Sequence, residues 1–317
     1  MACHIIMPYP IEKKLVITVA SSALFDLSDS HRIFRDSGLD IYRQHQRENE
    51  RVLLKPGVAF PLIRRILRFN EGVSEIEAPV EVILLSRNDP DTGLRVFNSI
   101  EGHRLSITRA GFVNGGNPHP YMRALNAALF LSANVYDVRS AIEEGLPAGR
   151  VFPTQFADSE DDPELRIAFD FDGVIADDSA EQIFRTGGLE TFQKAEQELA
   201  TTPHAGGPLA EFFSKVGALQ RFEKQRASHD PSYKPRLRTA IVTARNAPAH
   251  KRVVTTLRDR GIEVDEVFFL GGIDKGRVLK VFRPHIFFDD QLQHIEGAAE
   301  ATPCAHVPFG IANRQTS

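Results

Sequence analysis

The fold of this chain is decided by the stretch IAFDFDGVI at residues 167–175. It begins with an apolar run typical of a buried parallel strand, and Asp170 and Asp172 follow where that strand should end. In open α/β sheets, ligands bind at the carboxyl ends of the strands. We therefore predict that both carboxylates point into one pocket. An Asp-Gly turn ending at Gly173 is the alternative, but a turn needs only one of the two acids.

Length and composition predict an enzyme-sized protein with a large core. The chain has 317 residues, 42% of them hydrophobic, and a net charge of -4. These values favour two domains and argue against a basic face for a nucleic acid polymer. Cys3 and Cys304 have no metal-binding spacing and suit a reducing compartment. Residues 1–8 lack a signal-peptide pattern and no apolar run reaches about 18 residues, so we expect a cytoplasmic protein without a membrane partner.

One boundary interrupts the alternation of predicted strands and helices. The segment from Phe152 to Pro163 is acidic, is bracketed by prolines and continues neither pattern. We therefore predict an N-terminal domain at 1–152, a linker at 153–164 and a C-terminal domain at 165–317. The C-terminal domain should have a Rossmann-like α/β fold with a parallel sheet. Its predicted strands are 166–171, 239–243, 266–270 and 285–289, and its predicted helices include 180–184, 249–260 and 275–282.

The two halves share short similarities in the same order. Residues 33–39 (IFRDSGL) resemble 183–189 (IFRTGGL), and Arg87–Pro90 resembles Arg245–Pro248. This order predicts that the N-terminal half is a degenerate α/β duplicate of the C-terminal half. Chance similarity between two α/β halves is the alternative. At the matched positions the polar groups of the second half are replaced by Ala20, Ser22, Leu85, Ser132 and Ala133.

Three further strand ends in the second half carry polar groups. Thr243–Arg245 offers a hydroxyl and the backbone N–H groups of the next turn to an anion. Lys275 starts a helix after a strand, which suits a phosphate-binding point charge. Asp289 and Asp290 end another apolar strand. Each residue alone has an ordinary explanation, such as an N-cap for Thr243, but together they predict one site.

Such a set of groups suits metal-dependent phosphoryl transfer. Converging carboxylates would repel one another unless a cation neutralised them, and hard oxygen ligands suit Mg²⁺. One carboxylate could attack phosphorus and form an aspartyl-phosphate. A second could protonate the leaving oxygen and then deprotonate the attacking water. Thr243 and Lys275 would stabilise the charge on the transferring phosphoryl group.

At these residues the chain resembles the haloacid dehalogenase superfamily of phosphatases. The four motifs of that superfamily match Asp170–Val174, Thr243, Lys275 and Asp289–Asp290 in order. Over almost its whole length, the chain also resembles the cytosolic 5'-nucleotidase I family. The segments that carry this resemblance are 54–61, 94–100, 115–117, 207–209, 238–245, 283–291 and 305–310.

The family resemblance implies Mg²⁺-dependent hydrolysis of nucleoside 5'-monophosphates, AMP or a related nucleotide, through an aspartyl-phosphate. It implies that Asp170 is the nucleophile and Asp172 the acid/base. The implied phosphate-binding residues are Thr243, Ala244 and Lys275, and the implied metal ligands are Asp170, Asp172, Asp289 and Asp290. We also expect a homo-oligomer.

The segment between the first two motifs is too long for a tight connection. We predict a small helical cap at about 178–236, with helical patterns at 189–199 and 208–225. Closing a cap would exclude water and add contacts to the leaving group. Candidate substrate-binding residues are Asp178, Phe184 and Arg245.

Other functions fit the sequence less well. A phosphate-accepting receiver domain has its acid pair before the phosphorylated aspartate, which is the reverse order, and no stretch matches a P-loop. Two alternatives stay open: a sugar-phosphate phosphatase of the same superfamily and a nonenzymatic nucleotide sensor.

Overall fold

The computed structural model describes residues 9–314, in which ten strands form a single sheet. The strands are β1 (Leu15–Val19), β2 (Val80–Ser86), β3 (Arg109–Phe112), β4 (Leu129–Ser132), β5 (Ala148–Phe152), β6 (Leu165–Phe169), β7 (Leu237–Thr243), β8 (Glu266–Phe269), β9 (Ile286–Asp289) and β10 (Cys304–His306). Their order across the sheet is β3-β2-β1-β4-β5-β10-β9-β6-β7-β8. Among these strands of the described residues, only β5 and β10 pair antiparallel. The fold is therefore mixed α/β with a mostly parallel sheet, compatible with the predicted Rossmann-like class.

Helices separate most of the successive strands along the chain. They are α1 (Ser21–Leu24), α2 (Ser28–Glu48), α3 (Phe60–Leu67), α4 (Pro90–Gly102), α5 (Tyr121–Ala124), α6 (Val135–Glu143), α7 (Ser179–Glu198), α8 (Ala210–His229), α9 (His250–Asp259), α10 (Lys275–Phe282) and α11 (Leu292–Ala299). Short 3-10 helices occur at Ile11–Lys13, Arg68–Asn70 and Ile311–Asn313. Both α2 and α7 are kinked at a left-handed glycine, Gly38 and Gly188 respectively. The backbone at these kinks has φ +83° and +73°, which glycine adopts without the steric cost of a side chain.

The predicted strands and helices of the C-terminal half are confirmed, with shifts of their ends. The central strand β6 stops at Phe169 rather than Phe171, because the chain turns at Asp170 and reaches Gly173 with φ +70°. The predicted helix at 275–282 coincides with α10. Strands β6, β7 and β9 are almost wholly buried, which explains why their sequences are continuous apolar runs rather than alternating ones.

Both halves have the same strand order around their first strand. β1 pairs with β2 and β4 in parallel, as β6 does with β7 and β9. This is the adjacency that a duplicated plan requires, although the common origin itself stays a prediction. One predicted correspondence is wrong by one residue. Val19 pairs with Leu84 and Phe169 with Ile241, so the position that matches Thr243 is Ser86, not Leu85.

The segment at 153–164 contains neither helix nor strand. Arg64 and Arg65 of α3 form ion pairs with Asp158, and Arg166 of β6 forms one with Asp162, so this segment contacts both halves. Since the sheet continues across both halves through β5 and β10, they share one layer of strands. The division into domains at 1–152 and 165–317 stays a prediction.

The segment predicted as a cap contains two helices with different surroundings. α8 buries Phe212 and Phe213 against the sheet, with the Phe213 ring 5.0 Å from that of Phe169. α7, by contrast, buries only Ala180 and Glu196. α8 is therefore part of the layer that covers the sheet, and the cap at about 178–236 stays a prediction.

None of the helices within residues 9–314 combines the length and apolarity needed to cross a membrane. Cys304 is buried and forms no disulfide with any described residue. Cys3 and the N-terminal segment 1–8, on which the expectation of no signal peptide depends, lie outside the described residues.

Candidate active site

Asp170 lies where β6 ends, and its N–H still donates to the carbonyl of Phe288 in β9 at 2.7 Å. Its side chain is buried beside Lys275, the first residue of α10. The Lys275 Nζ lies 3.0 Å from Oδ1 of Asp170 and 2.7 Å from Oδ2 of Asp289. The structure thus brings together three residues that lie far apart in the sequence.

Negative charge exceeds positive charge in this cluster. Burial, followed by the neighbouring Asp289 and Asp172, raises the pKa of Asp170 to about 7, although Lys275 opposes the shift. Burial and Asp170 also raise the pKa of Asp290 well above its usual range. Burial opposes the charged form of Lys275, but Asp170 and Asp289 outweigh it and raise the pKa of the ammonium. The carboxylates therefore need more positive charge than Lys275 supplies, which a bound cation could provide.

A cation fits the donor atoms of this cluster. Oδ1 of Asp290 is buried and accepts no hydrogen bond from any residue in the described part of the chain. Oxygen or nitrogen atoms of Asp170, Asp289 and His294 lie within 4.8 Å of one another. Asp289, however, already accepts from Lys275 at 2.7 Å and from the N–H of Gln291 at 2.8 Å. Asp290 is therefore the more available ligand, and Asp289 chiefly holds Lys275.

Gly173 allows this approach of Asp290. A Cβ atom at position 173 would lie 2.5 Å from Oδ2 of Asp290, closer than nonbonded atoms approach. Its φ of +70° is also a conformation that favours glycine. The glycine of the Asp-x-Asp-Gly stretch thus brings the loop after β6 against the carboxylate at the end of β9.

Asp172 is held by an arginine fork. Arg245 donates from Nε to one carboxylate oxygen and from Nη2 to the other, each at 2.7 Å. Arg245 is itself buried, and its Nη1 donates to Glu196 of α7. Arg245 was predicted to bind substrate; here its guanidinium is occupied by Asp172 and Glu196.

Thr243 and Ala244 follow β7 at the same edge of the sheet. Because β6 and β7 are parallel and Phe169 pairs with Ile241, Thr243 emerges at the same end of the sheet as Asp170. The Thr243 hydroxyl is buried and accepts from the N–H of Arg245 at 3.3 Å. Ala244 is exposed, so the turn after β7 can be reached from solvent.

The chain matches a known protein family over almost its whole length. A family model described as 5'-nucleotidase matches residues 7–314. The chain belongs to the 5'-nucleotidase family. Cytosolic 5'-nucleotidase 1B of Homo sapiens is 35% identical over 298 residues, which are 92% of this chain and 48% of that protein. The chain therefore spans about half the length of this relative. No solved structure matches it significantly.

Membership in the family confirms the resemblance predicted from sequence. Within residues 9–314, two predicted substrate-binding residues make no hydrogen bond with the carboxylate cluster. Asp178 accepts from the N–H of Ile311 at 2.8 Å, and thereby holds the C-terminal turn. Phe184 lies exposed on α7 with its ring 6.2 Å from that of Phe192. Their roles in substrate binding stay predictions.

Several residues that support the candidate site gave no signal in the sequence. Glu196, His204 and Arg252 form a buried polar network with Arg245. Glu196 lies in a helical segment with no motif around it, and its partners are 49 and 56 residues away. His294, which lies 3.2 Å from Asp289, was also missed. An acid inside a helix gives no local signal that it is buried.

Proposed function

We propose that this protein hydrolyses nucleoside 5'-monophosphates, AMP or a related nucleotide, to nucleoside and phosphate. The observation that carries the proposal is the buried Asp170 beside Lys275, with Asp289 and Asp290 at the neighbouring strand end, in a chain of the 5'-nucleotidase family. The human relative is named a 5'-nucleotidase. Its name also states a cytosolic location, which we propose for this chain.

Asp170 is the proposed nucleophile. Its carboxylate oxygen attacks the phosphorus, the bond from phosphorus to the 5'-oxygen breaks, and the phosphoryl group is transferred to Asp170. Lys275 supports this role because its ammonium, 3.0 Å from Oδ1, favours the ionised carboxylate that attack requires.

Asp172 is the proposed acid and base. It gives its proton to the departing 5'-oxygen in the first step, which releases the nucleoside. In the second step it accepts a proton from water as the water attacks the phosphorus of the aspartyl-phosphate. Phosphate leaves, Asp170 is restored as a carboxylate, and Asp172 is again protonated.

A bound Mg²⁺ would supply positive charge to the phosphate oxygens and offset the repulsion between the carboxylates. The residues that would hold it are Asp170 and Asp290, with Asp172 and Asp289 as the remaining candidates. Both oxygens of Asp172 already accept from Arg245, and Asp289 accepts from Lys275. The buried Oδ1 of Asp290, which lacks a hydrogen-bond partner among the described residues, supports this set.

Thr243, the N–H of Ala244 and Lys275 are the proposed phosphate-binding groups. They would stabilise the charge that develops on the phosphoryl oxygens. The parallel pairing of β6 with β7 supports this assignment, because it puts the turn after Thr243 beside the end of β6.

The N-terminal half is proposed to be a degenerate copy that binds no catalytic metal. The positions of Asp170 and Asp172 carry Ala20 and Ser22, and those of Asp289 and Asp290 carry Ser132 and Ala133. Neither alanine nor serine offers the carboxylate ligands that Mg²⁺ prefers. The homo-oligomer stays a prediction.

A phosphate-release panel tests the proposed function. It compares 5'-monophosphates, 3'-monophosphates and sugar phosphates with Mg²⁺, and uses Asp170→Asn as the control for contaminating phosphatase. We expect release from 5'-monophosphates that the variant lacks. Release from sugar phosphates alone would favour the other phosphatase function. Binding of nucleotides without release from any compound would favour a sensor.

A further inference from the structure

Glu196 is a charged residue at the centre of a buried network. Its side chain has no exposure to solvent, although it lies on α7, whose other residues are mostly exposed. It accepts from Arg245, and from Nη1 of Arg252 at 2.9 Å. Burial alone would raise the pKa of Glu196, but His204 and Arg245 overcome it and lower the pKa to about 2. The carboxylate is therefore ionised and holds two arginines at once.

Arg245 connects Glu196 to the proposed acid/base. One side of its guanidinium contacts Glu196, and the other forms two hydrogen bonds of 2.7 Å with Asp172. The guanidinium also lies over the rings of Phe171 and Phe192, 5.3 and 5.4 Å from their centroids. A bidentate pair fixes the plane of the carboxylate as well as its position. The orientation of Asp172 is thus set by an arginine whose other partner is Glu196.

The N-terminal half contains the same set of contacts, with a neutral amide in place of the carboxylate. In the C-terminal half, Nε of Arg252 donates to the carbonyl of Thr202 at 2.9 Å. At the matching positions, Nε of Arg95 donates to the carbonyl of Val52 at 3.0 Å. The residue that matches Glu196 is Gln46, which accepts from Nη1 of Arg95 at 3.3 Å and is also buried.

The difference between Gln46 and Glu196 separates a structural role from a chemical one. A neutral amide is enough to hold the long kinked helix against its neighbour in the half that lacks the carboxylate pair. The carboxylate occurs in the half where a second arginine, Arg245, contacts both it and Asp172. Arg87, which resembles Arg245 in sequence, pairs with Asp137 instead. Burying the charge of Glu196 has a desolvation cost, and holding the helix in place does not require that charge.

We propose that Glu196 is a positioning residue, which holds Arg245 so that its fork orients Asp172 for proton transfer to the leaving 5'-oxygen. The proposal rests on the acid/base role proposed for Asp172. It also gives α7 a function: the helix that stands outside the sheet layer carries the residue that aligns the acid.

The test is a comparison of leaving groups in Glu196→Gln, which introduces the side chain that the matching position carries in Gln46. The substrates are a nucleoside 5'-monophosphate and its analogue with sulfur in place of the 5'-oxygen. A thiolate leaves with little help from an acid, whereas an alkoxide needs a proton. We expect kcat/KM to fall about 10²-fold for the oxygen substrate, the size of effect that misplacing a reacting group produces. For the sulfur analogue it should change less than about 3-fold, because proton transfer contributes little there.

Matched variants keep the result interpretable. Glu223→Gln removes another buried carboxylate of the same half, which accepts from Tyr233 and from the backbone of Arg236 and Leu237 but does not contact Asp172. It should leave the ratio of the two rates unchanged. Arg245→Lys keeps the charge, loses the fork and should reproduce the leaving-group-dependent loss, which provides a second test if Glu196→Gln does not fold.

An equal loss for both substrates in Glu196→Gln and Arg245→Lys would overturn the proposal and leave Glu196 with a structural role only. Asp172→Asn distinguishes this failure from a failure of the proposed function. If Asp172→Asn lowers kcat/KM equally for both substrates, Asp172 is not the acid. The role that the proposed function gives to this residue is then wrong. If Asp172→Asn slows only the oxygen substrate while Glu196→Gln does not, only the positioning role of Glu196 is excluded.

Discussion

Gly173→Ala should impair metal binding far more than it impairs folding. The added Cβ would lie 2.5 Å from Oδ2 and 2.6 Å from Cγ of Asp290, so the carboxylate or the loop must move. The φ of +70° adds strain, because a left-handed backbone costs an L-residue about 1–2 kcal/mol. Strain lowers stability whatever its position, whereas movement of Asp290 affects the proposed Mg²⁺ site.

Gly145→Ala is the matched control. Gly145 has nearly the same backbone, φ +72°, but a Cβ atom there would contact nothing within 4 Å. Both variants should lose about 1–2 kcal/mol of stability, seen as a fall of a few degrees in the midpoint of thermal unfolding. Only Gly173→Ala displaces the ligand. Its half-maximal Mg²⁺ concentration should rise about 10–100-fold, the usual effect of disturbing the groups that orient a metal ligand.

The assay is phosphate release from a nucleoside 5'-monophosphate over a range of Mg²⁺ concentrations, with thermal unfolding measured on the same preparations. The reasoning would be refuted if Gly173→Ala kept the wild-type Mg²⁺ requirement. It would also be refuted if Gly145→Ala raised the requirement equally, because strain rather than displacement of Asp290 would then explain the effect.

Three further predictions follow from the site and the core. Asp170→Asn should abolish turnover and covalent trapping by beryllofluoride, whereas Asp172→Asn should slow phosphate release about 10²–10⁴-fold and still bind substrate; wild-type turnover by Asp170→Asn would exclude it as nucleophile. EDTA should remove nearly all activity and Mg²⁺ should restore it, so full activity in excess chelator would contradict a metal-dependent mechanism. Asp290→Ala should raise the Mg²⁺ requirement more than Asp289→Ala. Phe213→Ala should lower the stability measured by urea unfolding by about 3–5 kcal/mol, because the ring is buried against the sheet; a loss below about 1 kcal/mol would show that α8 does not depend on this contact.

The sequence alone determined the strand that ends just before Asp170 and the edge of the sheet where the candidate site lies. Both depend on local patterns, an apolar run and the residues directly after it, and parallel strands bring such residues to the same edge. Lys275 could be predicted for the same reason, as the first residue of a helix after a strand. The match of the chain to the 5'-nucleotidase family followed from segments quoted from the sequence.

The register of the strands and the buried faces of the helices could be determined only from the tertiary structure. The strand ladder, and not the sequence similarity, showed that Ser86 matches Thr243, because a repeat with insertions does not fix its own register. The helical pattern at 208–225 was visible, but only packing against Phe169 showed that α8 covers the sheet.

Only the tertiary structure identified the residues that hold Asp172, the proposed acid/base. Glu196 lies 49 residues from Arg245 in sequence, and nothing in its helical segment distinguishes it from the exposed acids of α7. Whether a polar side chain is buried depends on how its helix is rotated and kinked, which contacts with other elements decide. The sequence thus indicated which residues are candidates for the chemistry, and the tertiary structure decided what holds them, because long-range packing leaves no local pattern.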